Sequence, residues 1–364
     1  MKILKKYAKL LVNYCVEIEN GDNLYISSTT LAEPLIKEIY REAVIKGANV
    51  EINMGFAEKT RIFYQNASGE QLNHISPFYK MAMSEFDAFI NIMAPFNLNE
   101  DSNVDVEKVN KHKKAVSPVL KTYFERTAVR DLKRNTCLYP TQASAQKAGM
   151  SLEEYEDFVF NACKLYDIDP MESWKKVGEF QQRIVDFLNK HTNFIYRGND
   201  FEISFNTKGR KWINSDGKTN MPSGEVYTSP VENSVNGVVR FSYPGIYMGH
   251  EVEGVTLWVK DGYIEKWEAL RGKDFLDNIF SIKGARRFGE AAIGTNKNIN
   301  RITKNILFDE KMGGSIHMAI GQSYLQCGGK NESSIHWDMI TDMKNGGEIY
   351  ADGEIVYKNG EFLI

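Results

Sequence analysis

The sequence predicts a two-domain α/β protein, in which an N-terminal α/β domain with a mostly parallel sheet precedes a β-rich α+β C-terminal domain. Three observations support this class. The chain has 364 residues, which exceeds the size of a usual single core. Strand and helix patterns alternate in its first half, whereas short strands separated by tight turns fill its second half. We predict domains at residues 1–190 and 191–364.

The first predicted domain begins with a β-α-β rhythm. The segment NLYIS predicts a strand, EPLIKEIYREAVIKGA predicts a helix that Gly47 could cap, and NVEINM (49–54) predicts a second strand. A third strand is expected around Ala88–Met93. Strands that alternate with helices in this way pair in parallel, so the sheet should be covered by its helices.

A helical stretch is expected from there to about residue 190. Ser151 and Glu154 have the spacing of a capping box before EEYEDFVFNACKLY, and WKKVGEFQQRIVDFLNKH (174–191) has apolar residues at helical spacing. This last helix should lead into the second domain.

The second predicted domain consists of short strands such as NFIYRG, FEISFNT and NGVVRFSYPG. The pairs Asp261-Gly262, Asp352-Gly353 and Asn359-Gly360 are typical of tight hairpin turns. Hairpins join antiparallel strands, so this domain should be largely antiparallel, either barrel-like or a strongly curved sheet.

Composition excludes several classes of protein. The net charge is −3 and no basic stripe occurs, which argues against a nucleic-acid partner. No run of 18 apolar residues occurs, so no membrane span is expected, and MKILKKYAKLLVNYC predicts an amphipathic helix rather than a signal peptide. The four cysteines are scattered without CxxC spacing, so we expect buried thiols in a cytoplasmic protein.

Candidate metal-binding chemistry is concentrated in the second half, and its clearest local pattern is IHWD. Residues two apart on a strand point to the same face, so His336 and Asp338 could converge on one divalent ion. A hydrogen-bonded His–Asp pair on a surface strand would have the same pattern, and for this motif alone that alternative is favoured.

The segment SIHMAIGQSY supplies a second pattern. His317 lies in an alternating run that Gly321 interrupts, and a bend at that glycine could bring Tyr324 back towards the histidine. Taken singly, these two residues are better explained as a core histidine and a packed aromatic side chain.

Three glutamates complete the candidates. Glu225 in SGEV and Glu290 in FGEAAIG each follow a glycine, which would let a carboxylate approach an ion closely, and Glu310 lies seven residues before His317. Exposed turn or helix charges are the ordinary alternative for all three. Standard motifs are absent: HEVEG lacks the second histidine of HExxH, and no G-x-S-x-G elbow or GxGxxG after an N-terminal strand occurs.

Together these segments resemble the thermophilic-type metallo-aminopeptidases, the aminopeptidase T and aminopeptidase S family. The resemblance covers nearly the whole chain. The segments on which it mainly rests are MPSGEVYTSP (221–230), ARRFGEAAIGTN (285–296), ILFDEKMGGSIHMAIGQSY (306–324) and SSIHWDMITDM (333–343). The order and spacing of several such segments are more specific than any single motif.

The resemblance implies the roles of the candidate residues. It implies a metal-ligand set, and it leaves Glu310 open as ligand or acid/base, with Tyr324 as ligand or as a catalytic hydroxyl. The implied set is Glu225, Glu290, Glu310, His317, Tyr324, His336 and Asp338. It further implies two divalent ions (zinc, cobalt or manganese), a homodimer with an enclosed active-site cavity, and peptide substrates with a free N-terminus.

The implied activity is removal of N-terminal residues by a metal-activated water. Two alternatives stay open. A two-metal phosphoesterase would need basic residues beside the metals, and Arg286 and Arg287 precede Glu290. A non-catalytic metal-binding homologue would keep the fold without turnover.

Overall fold

The computed structural model describes residues 2–364, which form two compact units. The first unit comprises the chain up to Met171 together with the short segment Gly217–Pro222. The second comprises Glu172–Asp216 and Ser223–Ile364. The division into domains at residues 1–190 and 191–364 stays a prediction.

A parallel five-stranded sheet forms the centre of the first unit, in the order β2-β1-β3-β4-β8. Its strands are β1 (Asn23–Thr29), β2 (Asn49–Gly55), β3 (Ala88–Met93), β4 (Lys133–Leu138) and β8 (Asn220–Met221). The first three strands and their parallel pairing confirm the predicted β-α-β rhythm.

Eight α-helices of the described chain belong to this unit, and a ninth crosses into the second. They are α1 (Lys2–Leu10), α2 (Glu33–Ile45), α3 (Lys59–Asn66), α4 (Gly69–Asn73), α5 (Pro77–Glu85), α6 (Val106–Ala128), α7 (Gln142–Lys147), α8 (Leu152–Ala162) and α9 (Pro170–Leu188). A short π-helix (Leu11–Cys15) and a 3₁₀ turn (Thr30–Ala32) complete the regular elements. The predicted helix after β1 is α2, and Gly47 follows it with φ +85°.

One prediction for this unit is wrong, because β4 interrupts the stretch that was expected to be helical up to residue 190. Its sequence, KRNTCL, lacks the apolar alternation of a half-buried strand. The buried amide of Asn135 donates instead to the carbonyl of Gly217, a residue 82 positions away. Long-range partners of this kind satisfy a polar strand and leave no local signal.

The capping box predicted at α8 is present. The Ser151 hydroxyl accepts from the Glu154 N–H, and the Glu154 carboxylate accepts from the Ser151 N–H. We expect Ser151→Ala to lower the free energy of unfolding by about 1 kcal/mol, since an orphan N–H loses its acceptor. Urea denaturation followed by circular dichroism measures this.

Ser117→Ala is the matched control, because that exposed hydroxyl donates only to a carbonyl within α6 and caps no helix end. Equal losses of stability in the two variants would contradict the role given to the cap.

Two antiparallel sheets make up most of the second unit. The larger has the order β14-β13-β10-β6-β5-β18-β19-β20 and the smaller has the order β17-β16-β15-β9-β7. Both sheets are open and neither closes into a barrel. The prediction of a largely antiparallel C-terminal domain is therefore confirmed.

The strands of the second unit are short, as predicted. They are β5 (Asn193–Arg197), β6 (Glu202–Asn206), β7 (Ile213–Ser215), β9 (Glu225–Thr228), β10 (Asn236–Arg240), β11 (Gly245–Tyr247), β12 (His250–Val252), β13 (Thr256–Lys260), β14 (Tyr263–Glu268), β15 (Phe288–Gly294), β16 (Ser315–Gly321), β17 (His336–Asp342), β18 (Glu348–Ala351), β19 (Glu354–Lys358) and β20 (Glu361–Phe362). Two helices, α10 (Lys273–Phe280) and α11 (Ile306–Asp309), and a 3₁₀ turn (Leu325–Cys327) connect them.

The three predicted hairpin turns are confirmed. Both central residues of each have positive φ, for example +48° at Asp261 and +73° at Gly262, as a type I′ turn requires. The resulting hairpins are β13–β14, β18–β19 and β19–β20.

One apolar core joins the two sheets of this unit. Alternate residues of β16, namely Ile316, Met318 and Ile320, are buried in a cluster with Tyr196 and Ile203 of the larger sheet. Side chains alternate along a strand, so the residues between them point to the opposite face of the smaller sheet.

Candidate metal centre

Five of the predicted donors lie on one face of the smaller sheet. Glu225 begins β9, Glu290 lies in β15, His317 in β16, and His336 and Asp338 in β17. The register of the ladders and the alternation of side chains place all five opposite the apolar core. The prediction that the i and i+2 positions of IHWD share a face is thereby confirmed.

Small residues on the same face leave room for these donors. A glycine or alanine faces each one across one ladder, which leaves space around the donors; on its other side, His317 is paired with Ile340. The small residues are Ala292, Gly294, Ala319 and Gly321, which pair with His317, Glu225, Asp338 and His336 respectively, and Ala319 also pairs with Glu290.

The donor atoms converge closely. The Nε2 of His336 lies 3.0 Å from Glu290 Oε2 and 3.4 Å from Asp338 Oδ1. The Nε2 of His317 lies 3.4 Å from Glu225 Oε2 and 3.7 Å from Glu290 Oε1. Glu290 therefore touches both histidines and connects the two sides of the cluster.

Three overlapping groups within the cluster have the spacing of a metal site, with donor atoms all within 4.8 Å of one another. Glu290, His317 and Asp338 each belong to two of the groups. The groups are Glu225–Glu290–His317, Glu290–His336–Asp338 and Glu310–His317–Asp338. Shared ligands of this kind are typical of sites that hold neighbouring ions.

Divalent cations fit the polar atoms that the protein leaves unsatisfied. Glu225 Oε2 and Asp338 Oδ1 are buried carboxylate oxygens that accept no hydrogen bond. A buried acceptor without a partner costs about 1–3 kcal/mol, more when it is charged. A mixture of imidazole nitrogens and carboxylate oxygens suits zinc and similar ions. The donor set is therefore chemically suited to the divalent ions that the resemblance implies.

Glu310 follows α11 and reaches the cluster from outside the sheet. Its carboxylate pairs with the ammonium of Lys311, whose side chain has 0% exposure. The same ammonium lies 3.7 Å from Glu225 Oε1. A fully buried lysine thus forms part of the centre, and neither the motifs nor the resemblance had pointed to it.

Tyr324 lies beside the histidine of β17. Its ring centroid is 4.9 Å from that of His336 and 5.3 Å from that of Tyr227. The predicted bend exists, since Gly321 ends β16 with φ +98°. It brings Tyr324 against His336 of β17, whereas the sequence predicts an approach to His317.

A backbone carbonyl orients His336. The Nδ1 of His336 lies 2.8 Å from the carbonyl oxygen of Gln322, which can only accept, so Nδ1 carries a proton and Nε2 is the nitrogen that faces Glu290 and the cluster. Gly289 makes room for this carbonyl, because a Cβ there would lie 2.1 Å from it. Orienting partners of this kind fix the tautomer of histidine ligands.

The charges of the cluster shift the pKa values of its members. Burial would lower the pKa of His317, but the hydrogen bond and charge of Glu290, with Glu225, raise it to about 9. Burial raises the pKa of Glu310 to about 8, although Lys311 acts in the opposite sense. Protons thus neutralise part of the cluster, and a cation bound there would displace them.

The other singled-out residues lie outside the cluster. His250 belongs to β12, where its ring stacks on Phe275 at 4.2 Å, which agrees with the exclusion of a zincin helix. Arg286 donates to the carbonyl of Ile264, and Arg287 donates to that of Glu232. All four cysteines are buried thiols. Within residues 2–364, no helix is long and apolar enough to cross a bilayer.

Comparison with known proteins gives a consistent result. The family model of the thermophilic metalloproteases (M29) matches residues 1–362. Aminopeptidase 2 of Geobacillus stearothermophilus is 29% identical over 99% of this chain and 95% of its own length. Aminopeptidase AmpS of Bacillus subtilis is 27% identical over 99% and 98%. The structure of AmpT from Thermus thermophilus has a similar fold, with a TM-score of 0.86 at 22% identity, covering 100% of this chain and 99% of that one.

Proposed function

Since the chain belongs to the M29 family of thermophilic metalloproteases, we propose that it is an aminopeptidase that removes N-terminal residues from peptides with two divalent cations. The observation that supports this most directly is the set of overlapping His, Glu and Asp groups on one sheet face. The relatives named above as aminopeptidases match nearly the whole chain, which supports the same activity.

The proposed ligands are the five donors of the sheet face. Glu290 would bridge the two positions, because its two oxygens face different histidines. The set is Glu225, Glu290, His317, His336 and Asp338. Cations bound there would polarise the scissile carbonyl and lower the pKa of a water molecule.

The chain's own groups would position the substrate and move protons. The negative charge of the cluster would attract the α-ammonium of a peptide, which restricts cleavage to the N-terminus. The Tyr324 hydroxyl, beside His336, would donate a hydrogen bond to the oxygen that gains charge. Glu310 would carry the proton to the leaving amine, since burial raises the pKa of its carboxyl to about 8.

The two arginines that the phosphoesterase alternative named do not serve it, and the Lys311 ammonium beside the donors is already paired with Glu310. That alternative required free basic residues beside the donors, but Arg286 is stacked on the rings of Tyr263 and Trp267 and Arg287 contacts Tyr263. We also propose a homodimer located in the cytoplasm, in keeping with the family and with four buried thiols.

Hydrolysis of leucyl-p-nitroanilide, with and without a chelator, tests the proposal. We expect dialysis against the chelator to lower the rate at least tenfold, and zinc, cobalt or manganese to restore it. N-acetyl-leucyl-p-nitroanilide is the matched control substrate, because it lacks the free amine and should not be cleaved.

Turnover that survives complete metal removal would refute the metal requirement. Equal rates on the free and acetylated substrates would refute the restriction to N-termini.

A further inference from the structure

Lys311 is the one residue of the cluster for which the proposed mechanism has no use. Its side chain is completely buried, and its ammonium contacts Glu310 and lies 3.7 Å from Glu225 Oε1. Placing a lysine in such a position is costly unless carboxylates compensate its charge. A role in folding alone would be served better by an apolar side chain, so its presence calls for another explanation.

The backbone holds this lysine firmly in place. The Lys311 N–H donates to the carbonyl of Phe308, and the Lys311 carbonyl accepts from the N–H of Asn296. Gly294 permits this approach, since a Cβ on it would lie 2.1 Å from the carbonyl of Met312 and 3.0 Å from that of Lys311. The backbone that carries Lys311 is therefore held against β15, which keeps its ammonium inside the buried cluster.

Including Lys311 changes the charge that a divalent ion would meet in the cluster. Four carboxylates face the centre. The Lys311 ammonium forms a hydrogen bond with that of Glu310 and lies farther, at 3.7 Å, from that of Glu225. An ammonium repels any cation that would bind to the same carboxylate, and at separations of a few ångströms this repulsion is large inside a protein. Glu310 is therefore the carboxylate that Lys311 compensates most closely before any divalent ion arrives, and the three carboxylates of the sheet face remain to bind the ion.

We infer that Lys311 is a built-in cation that pairs with Glu310, keeps this carboxylate out of the coordination of the divalent ions, and sets how tightly the remaining donors hold them. Lys311 is thus a positioning residue that acts through Glu310. The inference deepens the proposed function, on which it rests, because it assigns Glu310 to proton transfer and not to metal binding.

A double-mutant cycle at Lys311 and Glu310 tests the inference. Zinc binding to metal-stripped protein is measured by titration calorimetry, and the bound zinc is counted by mass spectrometry. Lys311→Met removes the positive charge and should tighten zinc binding at least tenfold. Glu310→Gln removes the carboxylate that is hydrogen-bonded to the ammonium and should weaken binding at least tenfold, because the ammonium then pairs only with Glu225, a proposed ligand. The double variant E310Q/K311M removes both charges and should bind zinc within threefold of the wild type.

Turnover supplies an independent measurement. Lys311→Met should lower kcat at least tenfold with KM changed less than threefold, because the proton-carrying carboxylate loses its anchor while the substrate contacts stay. Lys304→Met is the matched control: it also removes an ion-paired lysine of the second unit, paired there with Glu251, and should change neither zinc affinity nor kcat.

The possible outcomes distinguish a failure of the inference about Lys311 from a failure of the proposed function. A double variant that loses a zinc ion or binds at least tenfold more weakly would make Glu310 a ligand and overturn the inference, as would unchanged affinity in Lys311→Met. If Lys311→Met does not fold, Glu310→Gln and the double variant decide, since the double variant buries no unpaired charge. Wild-type protein that binds no divalent ion would instead overturn the proposed function itself.

Discussion

Replacing Glu290 by glutamine is expected to lower kcat/KM on leucyl-p-nitroanilide by more than 100-fold. This exceeds the 10–100-fold loss that follows removal of a partner outside the coordination shell. Glu290 is the only one of the five sheet donors within 4 Å of both histidines, at 3.0 Å from His336 and 3.7 Å from His317. Glutamine keeps the size of the side chain but loses the charge and one of the two acceptor oxygens.

The same substitution should reduce the zinc bound per chain, because a bridging carboxylate serves both positions. Glu354→Gln is the matched control, since that side chain is exposed on β19, which belongs to the larger sheet and not to the sheet that carries the donors. The assignment of Glu290 as the bridge would have to be abandoned if E290Q kept both its zinc and at least a tenth of the wild-type kcat/KM.

Local patterns were sufficient to predict much of the fold. The parallel strands of the first unit have apolar residues bounded by turn signals, and the hairpins of the second have Asp-Gly or Asn-Gly at their tips. The strands β4 and β8 could not be predicted in this way. Their pairing joins residues 136–137 to residues 220–221, and no local pattern encodes a contact over such a separation.

The donors of the candidate centre could be predicted because their residue types are chemically distinctive and their segments follow one another in a recognisable order. Their convergence has a simple cause, since neighbouring strands in register bring same-face positions together. The resemblance to the metallo-aminopeptidases is confirmed by membership of the M29 family.

The surroundings of the donors were beyond reach of the sequence. Lys311 follows Glu310 in LFDEK, where a lysine is ordinarily a solvated charge, and only the fold buries it. Gln322 acts through its backbone carbonyl, which every residue type possesses, so its identity carries no signal. The role of Gly289 could not be predicted from the sequence either, because the close approach that it allows depends on how β15 packs against the loop after β16.

Gly289→Ala tests whether this surrounding shell controls the centre without touching a donor. A Cβ at this position would lie 2.1 Å from the Gln322 carbonyl oxygen and 2.7 Å from that of Gly321, so the backbone after β16 must move. The displaced Gln322 carbonyl could no longer accept from His336 Nδ1, and the ring would lose its fixed tautomer and orientation. We expect zinc affinity and kcat/KM to fall by about 10–100-fold, as is usual when the orienting partner of a ligand is lost.

The stability of Gly289→Ala should decrease by about 1–3 kcal/mol as well, the usual cost of forcing an extra group into a packed site. Gly55→Ala is the matched control, because it adds the same methyl group to a strand where the nearest atom is 3.6 Å away. A variant that is destabilised but binds zinc with wild-type affinity would show that the carbonyl only fills space. Weaker zinc binding in Gly289→Ala alone, at temperatures where both variants are folded, would instead show that one backbone oxygen behind His336 governs the metal affinity of the whole cluster.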